Sequence, residues 1–227
     1  QRRDDNDMDL GALISYKMIH LQSNEKNLED FHKTKKSLDS IIERNLNVNY
    51  NERNYIQDNA NVLEKGYGNK TLNSYKDLSL HNTEVSSIIV GNSNNLKGFH
   101  KNIKLMPLSI STSGDEHDKD IAMAIYYAVD NGAKIINMSF GKEFSLKQEW
   151  VTEAFKYAEK NKVLLIHCSG NKRFDADQNP YYPSDYSYKD SIELVSNFIN
   201  VGSISKRKNV VLVSMFSNYG KKNVDIF

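Results

Sequence analysis

The sequence predicts an α/β domain with a mainly parallel sheet flanked by helices, preceded by a helical segment. Two observations support this fold class. From residue 81 onward, short apolar runs alternate with amphipathic helical patterns, and a separate helical periodicity fills much of the first 45 residues. Helices between buried strands favour right-handed crossovers and therefore parallel strand pairing. We expect a helical and loop insertion over residues 1–75, packed on an α/β core over residues 76–227.

The first 45 residues carry apolar side chains at steps of three and four positions. This spacing predicts one long amphipathic helix, or a helical hairpin, that buries one stripe of side chains. Residues 46–75 are rich in Asn, Gly, Tyr and Lys and lose the periodicity, which predicts a loop. The apolar positions are Leu10, Leu13, Ile14, Met18, Leu21, Leu28, Phe31, Leu38, Ile41 and Ile42.

The second half of the chain predicts the sheet and its helices. The apolar runs predict strands at 105–110, 134–140, 163–168, 198–204 and 210–216. Residues 134–140 are apolar enough for a strand buried on both faces. Helical spacing predicts helices at 118–131 and 145–160, and Gly132 is the expected stop signal of the first.

Composition excludes several classes of protein. The 227 residues contain 30 Lys and Arg against 29 Asp and Glu, which argues against a nucleic-acid-binding surface. A single cysteine excludes an intrachain disulfide and a multi-cysteine zinc site. The sequence contains no run of about 18 apolar residues, so no transmembrane segment is predicted. Residues 1–9 are polar and acidic and do not have the composition of a signal peptide.

Three segments carry a recognisable pattern. They read L-H-N-T-E-V-S-S-I-I-V-G at 80–91, A-I-Y-Y-A-V-D-N-G-A-K-I-I-N-M-S-F-G at 124–141 and V-L-L-I-H-C-S-G-N at 163–171. F-I-N-V-G-S at 198–203, F-S-N-Y-G at 216–220 and V-D-I-F at 224–227 extend it. In order and spacing, residues 78–227 resemble the subtilisin-like serine peptidases (subtilases), in particular a bacterial branch with a long helical insertion before the His motif.

This resemblance implies a subtilisin-like three-layer fold and a Ser-His-Asp acyl-enzyme mechanism. His81 would be the general base, and the amide of Asn171 would stabilise the oxyanion. Ser139, Phe140 and Gly141 would pair with an extended peptide and line the pocket before the scissile bond. The segment that begins with His81 is predicted to be an apolar helix with His81 at its start. Each residue also has a purely structural interpretation: His81 as a helix-start residue without chemistry, Asn171 in a turn, and Phe140 in the core.

The sequence also departs from the subtilase pattern. No D-[ST]-G turn follows an apolar strand before His81, and no G-T-S-M-A motif occurs, so the triad Asp and the nucleophilic Ser are assigned to no residue. Asn82, Glu84 and Ser87 replace residues that are Gly, His and Gly in the family's His motif. We therefore expect the 227-residue chain alone not to hydrolyse peptides. The alternative hypothesis is a catalytically inactive subtilase-like domain that binds peptides or a protein partner.

The remaining expectations rest on the same resemblance. No cofactor is required, no metal ligand is assigned, and a structural calcium ion would fit the family without ligands that the sequence identifies. The partner would be a peptide or protein substrate, and not a nucleic acid. The localisation implied is secreted or cell-envelope. Cys168, although close to Asn171, is expected to be a buried filler rather than a nucleophile.

Overall fold

The computed structural model describes residues 28–69, 76–111, 115–205 and 212–227. The chain forms two compact units, Gln1–Tyr55 and Ile56–Phe227. The domain boundary expected at residue 75 stays a prediction. Within the described ranges, no helix combines the length and the apolar character that crossing a membrane requires.

The first unit contains a helix, α1, whose described part covers residues 28–40 and continues into the π-helical turn Ile41–Asn45. The predicted helix is therefore present in its described part, and the positions from Leu10 to Leu21 lie outside the described residues. Leu28, Phe31, Leu38 and Ile42 are 52–62% exposed, and the burial of the apolar stripe stays a prediction. In the described part of the loop that follows, residues 46–69, one 3₁₀ turn is present, Glu52–Tyr55.

The second unit is the α/β core. Its elements are α2 (Lys76–Val90), α3 (Asp118–Asp130), β1 (Ile135–Met138), α4 (Gln148–Lys160), β2 (Leu164–Cys168), β3 (Tyr186–Ser187), β4 (Ile192–Glu193) and β5 (Phe198–Val201). Strands β1, β2 and β5 form a three-stranded parallel sheet in that order, and β3 and β4 form a separate antiparallel pair. This arrangement confirms the predicted α/β class.

The core lies between one face of the sheet and the helix pair α3 and α4. Leu165 pairs in register with Ile136 on one side and Phe198 on the other, so these side chains share a face. The Phe198 ring packs on the buried ring of Phe155 from α4, with centroids 5.1 Å apart. The buried core includes Ile121, Ile125, Val129, Met138, Val151, Ala154, Ala158 and Val163.

Both core helices end in the same type of turn, which sets the direction of the following strand. At the end of α3, Gly132 has a φ of 84°, and the Ala133 amide donates to the Ala128 carbonyl. At the end of α4, Lys162 has a φ of 58°, and the Val163 amide donates to Ala158 in the same way. These 6→1 bonds are typical of Schellman caps. They deliver β1 and β2 in parallel, with their carboxyl ends at one edge of the sheet.

Three strand predictions are wrong in whole or part. Residues 105–110 pair with no described strand, and residues 212–216 make only the isolated bridge Ile204↔Val213, with 210 and 211 outside the described residues. β1 is not buried on both faces, because Ile135 is 59% exposed and Asn137 is exposed. For residues 105–110 the reason is that an apolar run becomes a strand only where a neighbouring strand accepts its hydrogen bonds, and no described strand pairs with them.

Candidate active site

His81 lies in the second turn of α2 and not at the helix start that the sequence predicts. The reason is local: residues 76–80 contain no Pro or Gly, so the helix extends ahead of His81. The other end of α2 is closed by the segment after Gly98. There the amides of Phe99 and His100 donate to the carbonyls of Ile88 and Ile89, which have no partner inside the helix.

The side chain of His81 reaches the end of β1. Its Nε2 atom donates a hydrogen bond to the carbonyl oxygen of Ser139, with 2.8 Å between the heavy atoms. Ser139 is the first residue after β1, and the His81 ring is exposed to solvent. The structure therefore brings together two of the residues that the sequence singled out, the candidate base and the first residue of the candidate substrate segment.

The segment that contains Ser139, Phe140 and Gly141 is tied to the neighbouring strand β2. The carbonyl of Phe140 accepts a 2.8 Å hydrogen bond from Nε2 of His167 and a longer one, 3.5 Å, from the Cys168 thiol. The ring of Phe140 is half-buried and packs against the core cluster. This packing supports the interpretation of Phe140 as a core residue. The contribution of Phe140 to a substrate pocket stays a prediction.

The two residues at the end of β2, His167 and Cys168, have shifted pKa values that are consistent with a structural role. His167 is fully buried, and burial lowers its pKa to about 4, so the ring is neutral at pH 7. Burial also raises the pKa of the Cys168 thiol, which keeps the sulfur protonated. A protonated thiol is a poor nucleophile, and this supports the prediction that Cys168 is a filler.

Asn171 lies just beyond β2, in a turn that a distant asparagine holds. Gly170 adopts a φ of 102°, and the exposed Asn171 follows it. Asn218 contacts this turn on both sides. Its backbone amide donates to the Gly170 carbonyl at 2.9 Å, and its side-chain Oδ1 accepts from the backbone amides of Lys172 at 2.9 Å and Phe174 at 3.0 Å. Asn218 is completely buried. Asn218 belongs to the F-S-N-Y-G segment of the family pattern, but nothing in the sequence indicates its contact with this turn.

A second residue that sequence reasoning missed is Tyr181, whose ring packs against both Gly141 and Gly170. The pKa of the Tyr181 hydroxyl is raised to about 12. Burial is the largest cause, and the nearby Cys168 and three carboxylates contribute further. No local pattern signals this residue, because its contacts are with segments 11 and 40 residues away in sequence. The carboxylates are those of Asp115, Glu116 and Glu143.

A buried ion pair fixes the loop after the candidate substrate segment. Nζ of Lys142 lies 2.8 Å from Oδ1 of Asp118, at the start of α3, and it also donates to the carbonyl of Glu116. Asp118 additionally accepts from the Lys147 amide and the Ser145 hydroxyl. Burial alone would raise the pKa of Asp118, but these hydrogen bonds outweigh burial and lower it. The loop is thus anchored on both sides of residues 143–146.

The described part of the chain contains no group of three or more His, Cys, Asp or Glu side chains arranged to hold a metal ion. Calcium is also bound by backbone and Asn or Gln carbonyl oxygens, and the calcium ion that the resemblance allows stays a prediction.

The fold is shared with solved protease structures. The protease domain of PatA superposes with a TM-score of 0.54 at 24% identity, over 70% of this chain and 55% of that one. The epidermin leader peptide processing serine protease EpiP of Staphylococcus aureus superposes with a TM-score of 0.51 at 22% identity, over 63% of this chain and 37% of that one. These likenesses confirm the subtilisin-like α/β architecture.

Sequence comparison makes the assignment specific. The subtilase family profile, Peptidase_S8, matches residues 30–227. Subtilisin-like protease 2 of Plasmodium falciparum (isolate 3D7) is 30% identical over 82% of this chain, and the cell wall-associated protease of Bacillus subtilis (strain 168) is 33% identical over 66% of it. The chain belongs to the subtilase family of serine peptidases. Because relatives occur in Plasmodium and in bacteria, the bacterial branch stays a prediction.

The chain spans only a small part of these relatives. It covers 14% of the Plasmodium falciparum protein and 15% of the Bacillus subtilis protein.

Proposed function

We propose that this chain is part of a subtilisin-like serine endopeptidase that hydrolyses peptide bonds through an acyl-enzyme intermediate. One observation carries the proposal: Nε2 of His81 contacts the Ser139 carbonyl at the carboxyl edge of the sheet, where the Asn171 turn also lies. Because the subtilase family profile matches residues 30–227, we interpret this contact as part of a serine peptidase active site.

The proposed mechanism gives each residue a separate task. A serine hydroxyl attacks the peptide carbonyl while His81 accepts the hydroxyl proton, which it then returns to the leaving amine. The Asn171 side-chain amide donates to the negatively charged oxygen of the tetrahedral intermediate. Ser139, Phe140 and Gly141 hold the substrate backbone in an extended conformation. The turn around Asn171 suits this task because Asn218 fixes it on both sides.

The triad Asp and the nucleophilic Ser are proposed to come from other parts of the full-length protein. The absence of both motifs from the 227 residues supports this, together with the small share of each relative that the chain spans. The substrates would be peptides or proteins. We also propose a secreted or cell-envelope location, supported by the relative named as a cell wall-associated protease.

The second candidate function is an inactive subtilase-like domain that binds peptides or a protein partner. The replaced residues of the His motif, Asn82, Glu84 and Ser87, favour it.

A fluorophosphonate probe distinguishes the two functions, because it reacts covalently with an activated serine. The full-length protein is expected to be labelled in its native state and not after heat denaturation. The 227-residue chain is expected to remain unlabelled. An unlabelled native full-length protein that still binds peptides would support the inactive domain instead, and labelling of the 227-residue chain would contradict the assignment of the nucleophile to another part of the protein.

A further inference from the structure

Two imidazoles bind successive backbone carbonyls of one short segment. Nε2 of His81, from α2, donates to the Ser139 carbonyl, and Nε2 of His167, from β2, donates to the Phe140 carbonyl, each with 2.8 Å between the heavy atoms. His81 is exposed and is the proposed general base, whereas His167 is 1% exposed and has no task in the proposed mechanism. The two histidines are therefore connected through the backbone of residues 139 and 140.

The ring of His167 is held in place by its neighbours. It lies against the rings of Phe140, Tyr181 and Phe198, with centroids 6.5, 6.0 and 5.9 Å away. Because burial keeps the ring neutral, it carries one N–H, and the Phe140 carbonyl, which can only accept, places that proton on Nε2. Close packing restricts the movement of a buried side chain, so this donor keeps a fixed position relative to β2.

The hydrogen bond from His167 limits the direction in which the Ser139 carbonyl can point. Each peptide unit is planar, so only the φ and ψ torsions of Phe140 separate the two carbonyls. The Phe140 ring packs against the core cluster, which restricts these torsions further. The Cys168 thiol also donates to the Phe140 carbonyl, but at 3.5 Å, and a thiol is a weak donor. Without the imidazole, the peptide unit that His81 contacts would be less restricted.

We infer that His167 is a positioning residue for His81: by fixing the Phe140 carbonyl, it orients the Ser139 carbonyl that the ring of His81 contacts. His167 touches neither the substrate nor the reacting atoms of the proposed mechanism. The inference rests on the proposed function only for the meaning of His81 as a general base. The coupling between the two histidines is measurable in the 227-residue chain, because both rings and both carbonyls belong to it.

NMR of the 227-residue chain tests this coupling, because the ¹³C chemical shift of a carbonyl changes when it loses the hydrogen bond that it accepts. His81→Ala gives the chemical shift of the Ser139 carbonyl without its partner. His167→Leu is expected to move the Ser139 carbonyl toward that reference value and to shift the ring resonances of His81. His167→Gln keeps an N–H donor for the Phe140 carbonyl and should retain the wild-type shifts of Ser139 and His81.

Two controls separate positioning from a general loss of stability. Val163→Ala shortens a buried core side chain next to β2 and should leave the Ser139 and His81 resonances unchanged. Cys168→Ala removes the weaker donor to the Phe140 carbonyl and should also leave them unchanged. If His167→Leu fails to fold, His167→Phe replaces it, since it keeps an aromatic ring without an N–H.

Peptide hydrolysis by the full-length protein tests the consequence for His81. His167→Leu should lower kcat about tenfold or more, as expected for a misplaced catalytic group, and His167→Gln should retain most of the wild-type rate. Unchanged Ser139 and His81 resonances in His167→Leu, hydrolysis by that variant at the wild-type rate, or equal perturbation by His167→Gln would overturn the inference. If the resonances respond as expected but the full-length protein neither hydrolyses peptides nor reacts with the fluorophosphonate probe, only the proposed function is rejected.

Discussion

The imidazole of His81 and the carbonyl of Ser139 are joined by a 2.8 Å hydrogen bond that links α2 to the end of β1. Because a carbonyl oxygen can only accept, the proton of the neutral ring lies on Nε2 and the lone pair on Nδ1. In the proposed mechanism, the lone pair that receives the serine proton belongs to Nε2. An approaching serine would therefore displace the Ser139 carbonyl and change the tautomer of His81.

The tautomer of His81 is directly measurable in this chain. Two-bond ¹H–¹⁵N NMR spectra, recorded at a pH where the ring is neutral, should show the proton on Nε2. A His81→Gln variant assigns the resonance by its disappearance. A neutral ring protonated on Nδ1 would contradict the hydrogen bond to Ser139, since Nε2 would then have no proton to donate.

Asn218 is expected to hold the turn that presents Asn171. Asn218→Leu removes the acceptor for two backbone amides, each worth about 1 kcal/mol net, and should destabilise the fold by about 2 kcal/mol. Hydrogen exchange should accelerate at the amides of Lys172 and Phe174. Asn218→Asp keeps an acceptor oxygen and should retain their protection.

The matched control is Asn197→Leu, which removes a half-buried asparagine bonded to the Val163 carbonyl, away from this turn. It should leave exchange at residues 172 and 174 unchanged. Unaltered exchange at these residues in Asn218→Leu would show that Asn218 does not hold the turn.

His167 should make stability fall as the solution becomes acidic. Its pKa is lowered by burial from about 6.5 to about 4, so the unfolded chain binds the proton more tightly than the folded chain. The stabilisation is complete above pH 6.5 and is lost as the pH falls from 6.5 through 4, by on the order of 3 kcal/mol. Urea unfolding at pH 7, 5.5 and 4 measures this slope.

The slope should largely disappear in His167→Gln, which retains a side-chain N–H for the Phe140 carbonyl. Replacement of the exposed His100 by Gln provides the control and should keep the wild-type slope. If His167→Gln and the wild type lose stability equally between pH 6.5 and 4, then His167 is not the group responsible.

The buried pair formed by Lys119 and Asp58 should dominate the electrostatic contribution to stability. Both side chains are at most 1% exposed, and Nζ of Lys119 also donates to the Asn59 carbonyl and lies 4.6 Å from the centre of the Tyr67 ring. Asp58→Asn leaves a buried ammonium group without its counter-charge. The expected cost is about 3–5 kcal/mol by chemical denaturation.

Comparison with two variants separates charge burial from packing. The double variant Asp58→Leu/Lys119→Met removes both charges and should recover a large part of the loss. Glu153→Gln breaks the exposed pair with Lys156 and should cost less than about 1 kcal/mol. A loss in Asp58→Asn no larger than in Glu153→Gln would contradict the importance of the buried pair.

The elements that the sequence predicts correctly are those with strong local signals. β2 and the helices α3 and α4 combine a clear apolar period with a recognisable stop, such as Gly132 with its positive φ. The segment 105–110 has the composition of a strand without being one, because strand formation depends on a neighbour and no described strand pairs with it. Composition alone does not reveal that difference.

The residues of the candidate site also differ in how strongly the sequence indicates them. Motif order indicates His81, Ser139 and Asn171, and the structure adds that the first two are in contact. Tyr181 and Asn218 carry no local signal, since their importance comes from contacts with glycines and amides far along the chain. Such residues become visible only when the segments that they join are seen together.

In the proposed function, His81 is the general base of a serine endopeptidase. Hydrolysis of a fluorogenic peptide by the full-length protein tests this role, with His81→Ala compared with the exposed His100→Ala. We expect His81→Ala to lower kcat by several orders of magnitude, while the fold measured by circular dichroism and the activity of His100→Ala are unchanged. Equal hydrolysis by the wild type and His81→Ala, or no hydrolysis by the wild type, would contradict the role of His81.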